Sequence, residues 1–196
     1  GVELPDTPPR PKRADSVGYA IVGLGGYALN QMMPRFERAE RAHIAALVSG
    51  NPDKLNKVGD AYGVPAGSRY SYDNFAEIAS NESVDAVYIV LPSGLHAEWT
   101  EKAFAAGKHV LCEKPMALSS AECERMIAAA QRANRRLMIA YRCHFEPYNM
   151  QAMELMDQDA VGTLRMIRAE QSYRMGPTTP AENWRVNRAL GGRGPL

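Results

Sequence analysis

Two short stretches of this chain carry residue types that could do chemistry together. In Ser16 to Met33, SVGYAIVGLGGYALNQMM, an apolar run is followed by Gly23, Gly25 and Ala28 on the G-x-G-x-x-A spacing of a dinucleotide fingerprint. Gly23 permits a tight turn, Gly25 lets backbone approach a pyrophosphate with no Cβ in the way, and Ala28 lets a helix pack close to its strand. Phosphate oxygens would then meet the free N–H groups and positive dipole end of a helix beginning near Gly26. The second stretch is Cys112-Glu113-Lys114-Pro115, which closes the apolar run His109 to Cys112. A lysine at a strand's carboxyl end can orient a reacting hydroxyl, Glu113 offers a carboxylate to hold its ammonium, and Pro115 removes the next backbone donor.

The elements that must position these residues read as strands alternating with helices. Val17 to Val22, Ala42 to Ser49, Asp85 to Pro92, His109 to Cys112 and Leu137 to Tyr141 are strand-like, with single helices between them. Asn51-Pro52 opens one helix as N-cap and first helical residue, and Gly63 is its natural stop. A short helix is expected over Asp73 to Ser80 with Phe75, Ile78 and Ala79 as its apolar side, and another from about Leu95 to Gly107. Ser119-x-x-Glu122 is a capping box ahead of a helix whose apolar face is Cys123, Met126, Ile127 and Ala130. Repeated crossovers of this kind require an α/β, doubly wound parallel sheet covered on both faces, a Rossmann dinucleotide-binding domain.

Three segments follow: an extended, proline-rich arm over 1–15, the dinucleotide-binding domain over 16–143, and 144–196 as a connecting helix and the incomplete start of an α+β substrate and oligomerisation domain. The helix is expected over Phe145 to Ala160, and Thr163 to Met175 reads as the first strand of that second domain. One strand cannot bury a sheet face by itself, so Thr163 to Met175 implies further strands or a partner. Gly1 in place of Met implies a processed or engineered start.

Composition narrows the classes. A formal charge of +1 and a pI of about 7.9 give no global field, so neither nucleic acid nor an anionic membrane is indicated as a partner. No apolar run approaches the roughly 20 residues of a spanning helix. Cys112, Cys123 and Cys143 form no C-x-x-C pair and read as inert thiols, and no residue is assigned to a metal. Localisation stays open between periplasm and cytoplasm.

In a doubly wound sheet, ligands bind outside the carboxyl ends of the strands. The second strand ends Leu47-Val48-Ser49-Gly50, without the Asp or Glu that would hold both ribose hydroxyls of NAD, and Lys54 stands in the next helical turn. That combination favours NADP. A methyltransferase would explain neither Lys54 nor the Glu-Lys-Pro tripeptide.

GLGGYALNQ, AVYIVLPSGLHAE, AGKHVLCEKPMA and LMIAYRCHFEP together resemble the Gfo/Idh/MocA oxidoreductase family, and within it the glucose-fructose oxidoreductase type, over roughly Gly18 to Gly194. The resemblance implies an NADP-dependent enzyme acting on the CH–OH of a sugar. It implies that Gly23, Leu24, Gly25, Gly26 and Tyr27 hold the pyrophosphate, and that Ser49, Gly50 and Lys54 hold the 2′-phosphate. Leu91, Pro92 and His96 would line the nicotinamide side, Glu113 and Lys114 the centre of the cleft, and Arg142, Trp184 and Arg185 would stand near the cofactor. Lys114 is then the catalytic residue, preceding a cis bond to Pro115, and the arm would wrap the adenine end. The family's sheet domain implies a dimer or tetramer.

Two departures from the pattern stand out. Ser93 occupies a position usually held by Asn, and the resemblance implies that the D-x-x-x-[YH]-like motif supplying the family's general base would follow Leu196; His43, His109 and His144 read as structural or surface residues. An NADP-binding module without turnover therefore remains the alternative to an enzyme.

Overall fold

Six parallel strands carry the chain, and their order in the sheet decides where a ligand can enter. In the computed structural model, which describes residues 4–5, 15–170, 178–179 and 181–192, these are β1 (Val17–Val22), β2 (Ala42–Val48), β3 (Arg69–Tyr70), β4 (Ala86–Ile89), β5 (His109–Cys112) and β6 (Leu137–Ile139). They lie in the order β3-β2-β1-β4-β5-β6, every neighbouring pair parallel. The chain winds outward from β1 through β2 and β3, then returns to the other side of β1 as β4. The switch point, and with it the crevice, falls between the carboxyl ends of β1 and β4.

Alternation along the strands builds two cores. Ala20, Val22, Val48, Val87, Ile89, Val110 and Cys112 point to one face, under Trp99, Ala103 and Phe104 of α3 (His96–Ala105) and Met126 of α4 (Ser120–Ala133). Ile21, Leu47 and Tyr88 point to the other, under Leu29, Met33 and α2 (Pro52–Tyr62) with its Leu55, Val58 and Tyr62. Leu4, in the expected arm, packs partly buried against this second core; residues 1–3 and 6–14 of the arm lie outside the described residues.

Helix boundaries follow local chemistry closely. The Asn51 side chain accepts the Lys54 N–H at 2.8 Å, Pro52 opens α2, and Gly63 ends it at φ 66°. Ser119 accepts the Glu122 N–H at 3.3 Å while the Glu122 carboxylate reaches back to the Leu118 N–H at 3.0 Å. The capping box is thus formed, displaced by one residue on its return contact.

One expectation gains detail and three require correction. The fingerprint helix begins at Gly26 but is π-helical over Ala28–Met32 before its last turn, α1 (Met33–Phe36). Pro34 has no N–H to give and its ring crowds the carbonyl four residues back, and the wider turn admits it; in the next turn the Arg35 guanidinium donates to the Gln31 carbonyl at 2.6 Å. Asp73 to Ser80 holds a 3₁₀ turn over Phe75–Ser80, whose three-residue period buries Phe75 and Ile78 and leaves Ala79 exposed. Ile127 of α4 is 47% exposed, because α4 rolls its Met126, Ala129 and Ala130 side onto the sheet. Finally, residues 163–170 form no strand and are exposed; among the described residues none pairs with them in a ladder, and residues 171–177 lie outside the described residues. The helix expected over Phe145 to Ala160 is present as α5 (Pro147–Asp157), with Tyr148, Met150 and Met153 exposed.

Candidate functional site

Four strand ends meet at the crevice. After β1, Gly23 turns at φ 96°, and a Cβ there would stand 2.5 Å from the Val90 carbonyl oxygen, so only glycine lets β1 and β4 leave the sheet side by side. Gly25 and Gly26 are exposed, and a Cβ on Gly25 would meet no protein atom within 4 Å. That open backbone, at the start of a helix, is what a pyrophosphate requires. Leu24 is buried behind it and Tyr27 half-buried beside it.

At the end of β2, Ser49 is buried and its Oγ accepts the Asn51 N–H at 3.3 Å, which leaves its own hydroxyl hydrogen to donate. Gly50 is exposed, and a Cβ on it would press at 3.1 Å on the Tyr72 ring. The Lys54 ammonium reaches to 3.5 Å from the Leu24 carbonyl oxygen, so a cation spans the gap between the glycine turn and the β2 end.

At the ends of β4 and β5 the structure separates neighbours that the chain keeps together. Glu113 is buried, 7% exposed, and accepts a 2.6 Å hydrogen bond on Oε1 from the phenol of Tyr88 and a 3.2 Å one on Oε2 from the Lys114 N–H. Burial and this carboxylate hold the Tyr88 phenol neutral far above its usual range. Burial and the same carboxylate also raise the Tyr27 phenol, opposed by Arg142, which brings Arg142 to this end of the sheet. Lys114 is exposed, and among the described residues no carboxylate lies within 4.0 Å of its ammonium. The expected Glu113–Lys114 ion pair is therefore replaced by a Glu113–Tyr88 hydrogen bond, since β4–β5 pairing sets the phenol beside the carboxylate on the covered face. The Lys114-Pro115 bond is cis, as expected.

His96 is 1% exposed, with Nδ1 2.7 Å from the Pro115 carbonyl oxygen and Nε2 2.9 Å from that of Leu91. Neither ring nitrogen is left for a nicotinamide, so its contribution is to tie the β4 turn to the Glu-Lys-Pro turn. Leu91 and Pro92 are half-buried and Ser93 is buried at this edge. Trp184 and Arg185 stack at 4.8 Å in a short turn followed by α6 (Arg188–Gly191). This segment packs so closely on the β4–α3 turn that a Cβ on Gly94 would overlap the Ala189 carbonyl oxygen. Tyr88 is the member of the site that sequence reasoning missed. Its signal was a polar-tipped aromatic inside a strand buried on both faces.

Comparison with known proteins agrees with this geometry. The Gfo/Idh/MocA model, the oxidoreductase family with an NAD-binding Rossmann fold, matches residues 17–141. An aldose-aldose oxidoreductase from Caulobacter crescentus, crystallised with glycerol, is 47% identical with a TM-score of 0.88, over 91% of this chain and 52% of that one. A 3-ketoreductase from Actinomadura kijaniata in complex with TDP-benzene and NADP is 27% identical with a TM-score of 0.66, over 76% of this chain and 45% of that one. A D-xylose 1-dehydrogenase [NADP(+)] from Haloarcula marismortui is 31% identical over 177 residues, which are 90% of this chain and 49% of that protein. The chain spans about half the length of the curated relatives it matches. With its fingerprint turn, its switch point and its Glu-Lys-Pro strand end in the arrangement described, this chain belongs to the Gfo/Idh/MocA oxidoreductase family, whose fold is the NAD-binding Rossmann fold.

Proposed function

We propose that this chain is the nucleotide-binding part of an NADP-dependent oxidoreductase that acts on the CH–OH of a sugar, of the glucose-fructose type. The observation that carries the reading is the Lys114 ammonium, exposed and without a carboxylate partner among the described residues, at a strand end across the crevice from an open glycine turn. NADP, when bound, supplies the nicotinamide C4 that takes hydride from an aldose C1 and later returns it to a carbonyl. Gly23, Leu24, Gly25, Gly26 and Tyr27 would hold the pyrophosphate, and Ser49, Gly50 and Lys54 the 2′-phosphate. Lys114 would hold the reacting hydroxyl in place and stabilise its oxygen as the C–H bond breaks. Leu91, Pro92, Trp184 and Arg185 would wall the nicotinamide side, with Arg142 near Tyr27.

Supporting the sugar assignment are the xylose and aldose activities for which the relatives are named. Supporting NADP are the lack of a carboxylate after β2 and the cation that Lys54 places there. The fluorescence titration that tests the cofactor compares NADPH with NADH on the same protein. NADPH is expected to bind at least about tenfold more tightly, the scale of one charge-assisted contact to the extra phosphate. Equal binding removes Ser49 and Lys54 from the reading. Nicotinamide absorbance on adding an aldose tests the reaction, and nucleotide binding without reduction would favour a module without turnover. Self-association into a dimer or tetramer through the second domain belongs to the same reading and is checked by light scattering.

A further inference from the structure

The Glu113 carboxylate is the most enclosed charge at the crevice, and its two hydrogen-bond partners come from different strands' ends. Tyr88 rises from β4, in the row Ile21–Tyr88–Leu111 that the sheet register sets across its covered face. It is 1% exposed, so its hydroxyl must find its partner inside the protein, and it finds Glu113 Oε1 at 2.6 Å. Tyr27, from the fingerprint helix, is half-buried beside the same carboxylate, which together with burial raises its phenol. The other hydrogen-bond partner is the backbone N–H of Lys114 itself, at 3.2 Å from Oε2. On the next residue His96 takes the Pro115 carbonyl at 2.7 Å, so the peptide unit before the lysine and the one that follows Pro115 are each held.

We infer that Tyr88 is a positioning residue for Lys114: its phenol anchors the Glu113 carboxylate, the carboxylate holds the Lys114 backbone N–H, and the exposed ammonium is thereby aimed into the crevice. This rests on the proposed role of Lys114 in hydride transfer. A charge-assisted phenol–carboxylate bond of this length is among the stronger hydrogen bonds available, and in a buried setting its removal leaves the carboxylate free to turn.

The decisive experiment is Tyr88→Phe, which removes one oxygen and keeps the ring that fills the core. Single-turnover reduction of NADP by an aldose should slow by about 10-fold or more, the scale of a small misplacement of a reacting group. The KM for the aldose and the Kd for NADPH should stay within about twofold, because Tyr88 touches neither. A second readout needs no turnover: the lysines are reductively methylated with 13C, the Lys114 resonance is identified by its loss in Lys114→Arg, and that resonance should move in Tyr88→Phe while the other lysine resonances hold. Glu113→Gln, which keeps the side-chain volume and removes the charge, should move the same resonance and carries the decision if Tyr88→Phe does not fold. A variant that is merely less heat-stable, with an unmoved Lys114 resonance, would overturn the inference. A wild-type protein that does not reduce NADP would count against the functional reading alone, since the resonance still judges the positioning.

Discussion

Lys114 and Glu113 are adjacent in the chain and face opposite worlds, one exposed at the crevice and the other 7% exposed against Tyr88. An ammonium tied to its neighbour would have at least one of its three donors committed, and one without a carboxylate partner keeps all three for a ligand. Lys114→Ala is therefore expected to leave NADPH binding nearly intact and to lower the hydride-transfer rate by roughly 100-fold or more. Pre-steady-state reduction of bound NADP measures it, and a variant within a few-fold of wild type would remove Lys114 from the mechanism. His96 makes the complementary point. A histidine at a strand's carboxyl end looks like a cofactor ligand, yet both its nitrogens are taken by carbonyls of the Leu91 and Pro115 turns.

Among the elements, the segment of Trp184–Val186 and α6 lies over the β4–α3 turn, and Gly94 is the residue that lets it do so. Backbone meets backbone there with no room for a methyl group. Gly94→Ala should push the segment off the turn while leaving the sheet, whose core lies below, unaffected. The expected outcome is a changed emission of Trp184 with unchanged far-ultraviolet dichroism and a weakened grip on nucleotide. Unchanged Trp184 emission would mean that the segment relaxes without leaving. Trp99, buried against Phe75 at 5.1 Å and Tyr72 at 5.0 Å, provides the internal reference.

For the whole molecule, burial acts on many acids in the same direction. The phenols of Tyr19, Tyr27, Tyr62, Tyr72 and Tyr88 are all raised, burial being the largest cause in each. Burial also pushes the Cys112 thiol up to about 12, with Glu113 adding to it and the Thr100 hydroxyl opposing. In the unfolded chain these groups ionise at their ordinary values of 9.0 for the thiol and 10.0 for the phenols. From about pH 9 upward the folded state thus binds more protons than the unfolded one, and stability must fall as pH rises. Denaturant midpoints are expected to drop between pH 8 and pH 10.5, with Cys112→Ala showing a shallower drop than wild type. A flat profile would contradict the enclosure of these groups. Among the described residues no helix is long and apolar enough to cross a membrane.

What the chain determined by itself is whatever depends on near neighbours. Asn51, Pro52 and Gly63 bound α2 through contacts no more than a few residues apart, and Ser119 with Glu122 opens α4 in the same way. Gly23, Gly25 and Ala28 specify a turn whose fit depends on the absence of side chains, so the fingerprint was legible, as was the strand end that carries Lys114. Alternation of strand and helix then leaves little choice but a parallel sheet. Tertiary structure decided what sits across the sheet. Tyr88 and Glu113 are 25 residues apart, and only the pairing of β4 with β5 brings phenol to carboxylate. The roll of α4 that exposes Ile127 was likewise set by the surface it packs on. Residues 163–170 carry strand-forming side chains and make no strand, because a strand is a pairing and its partner is never written in the segment itself.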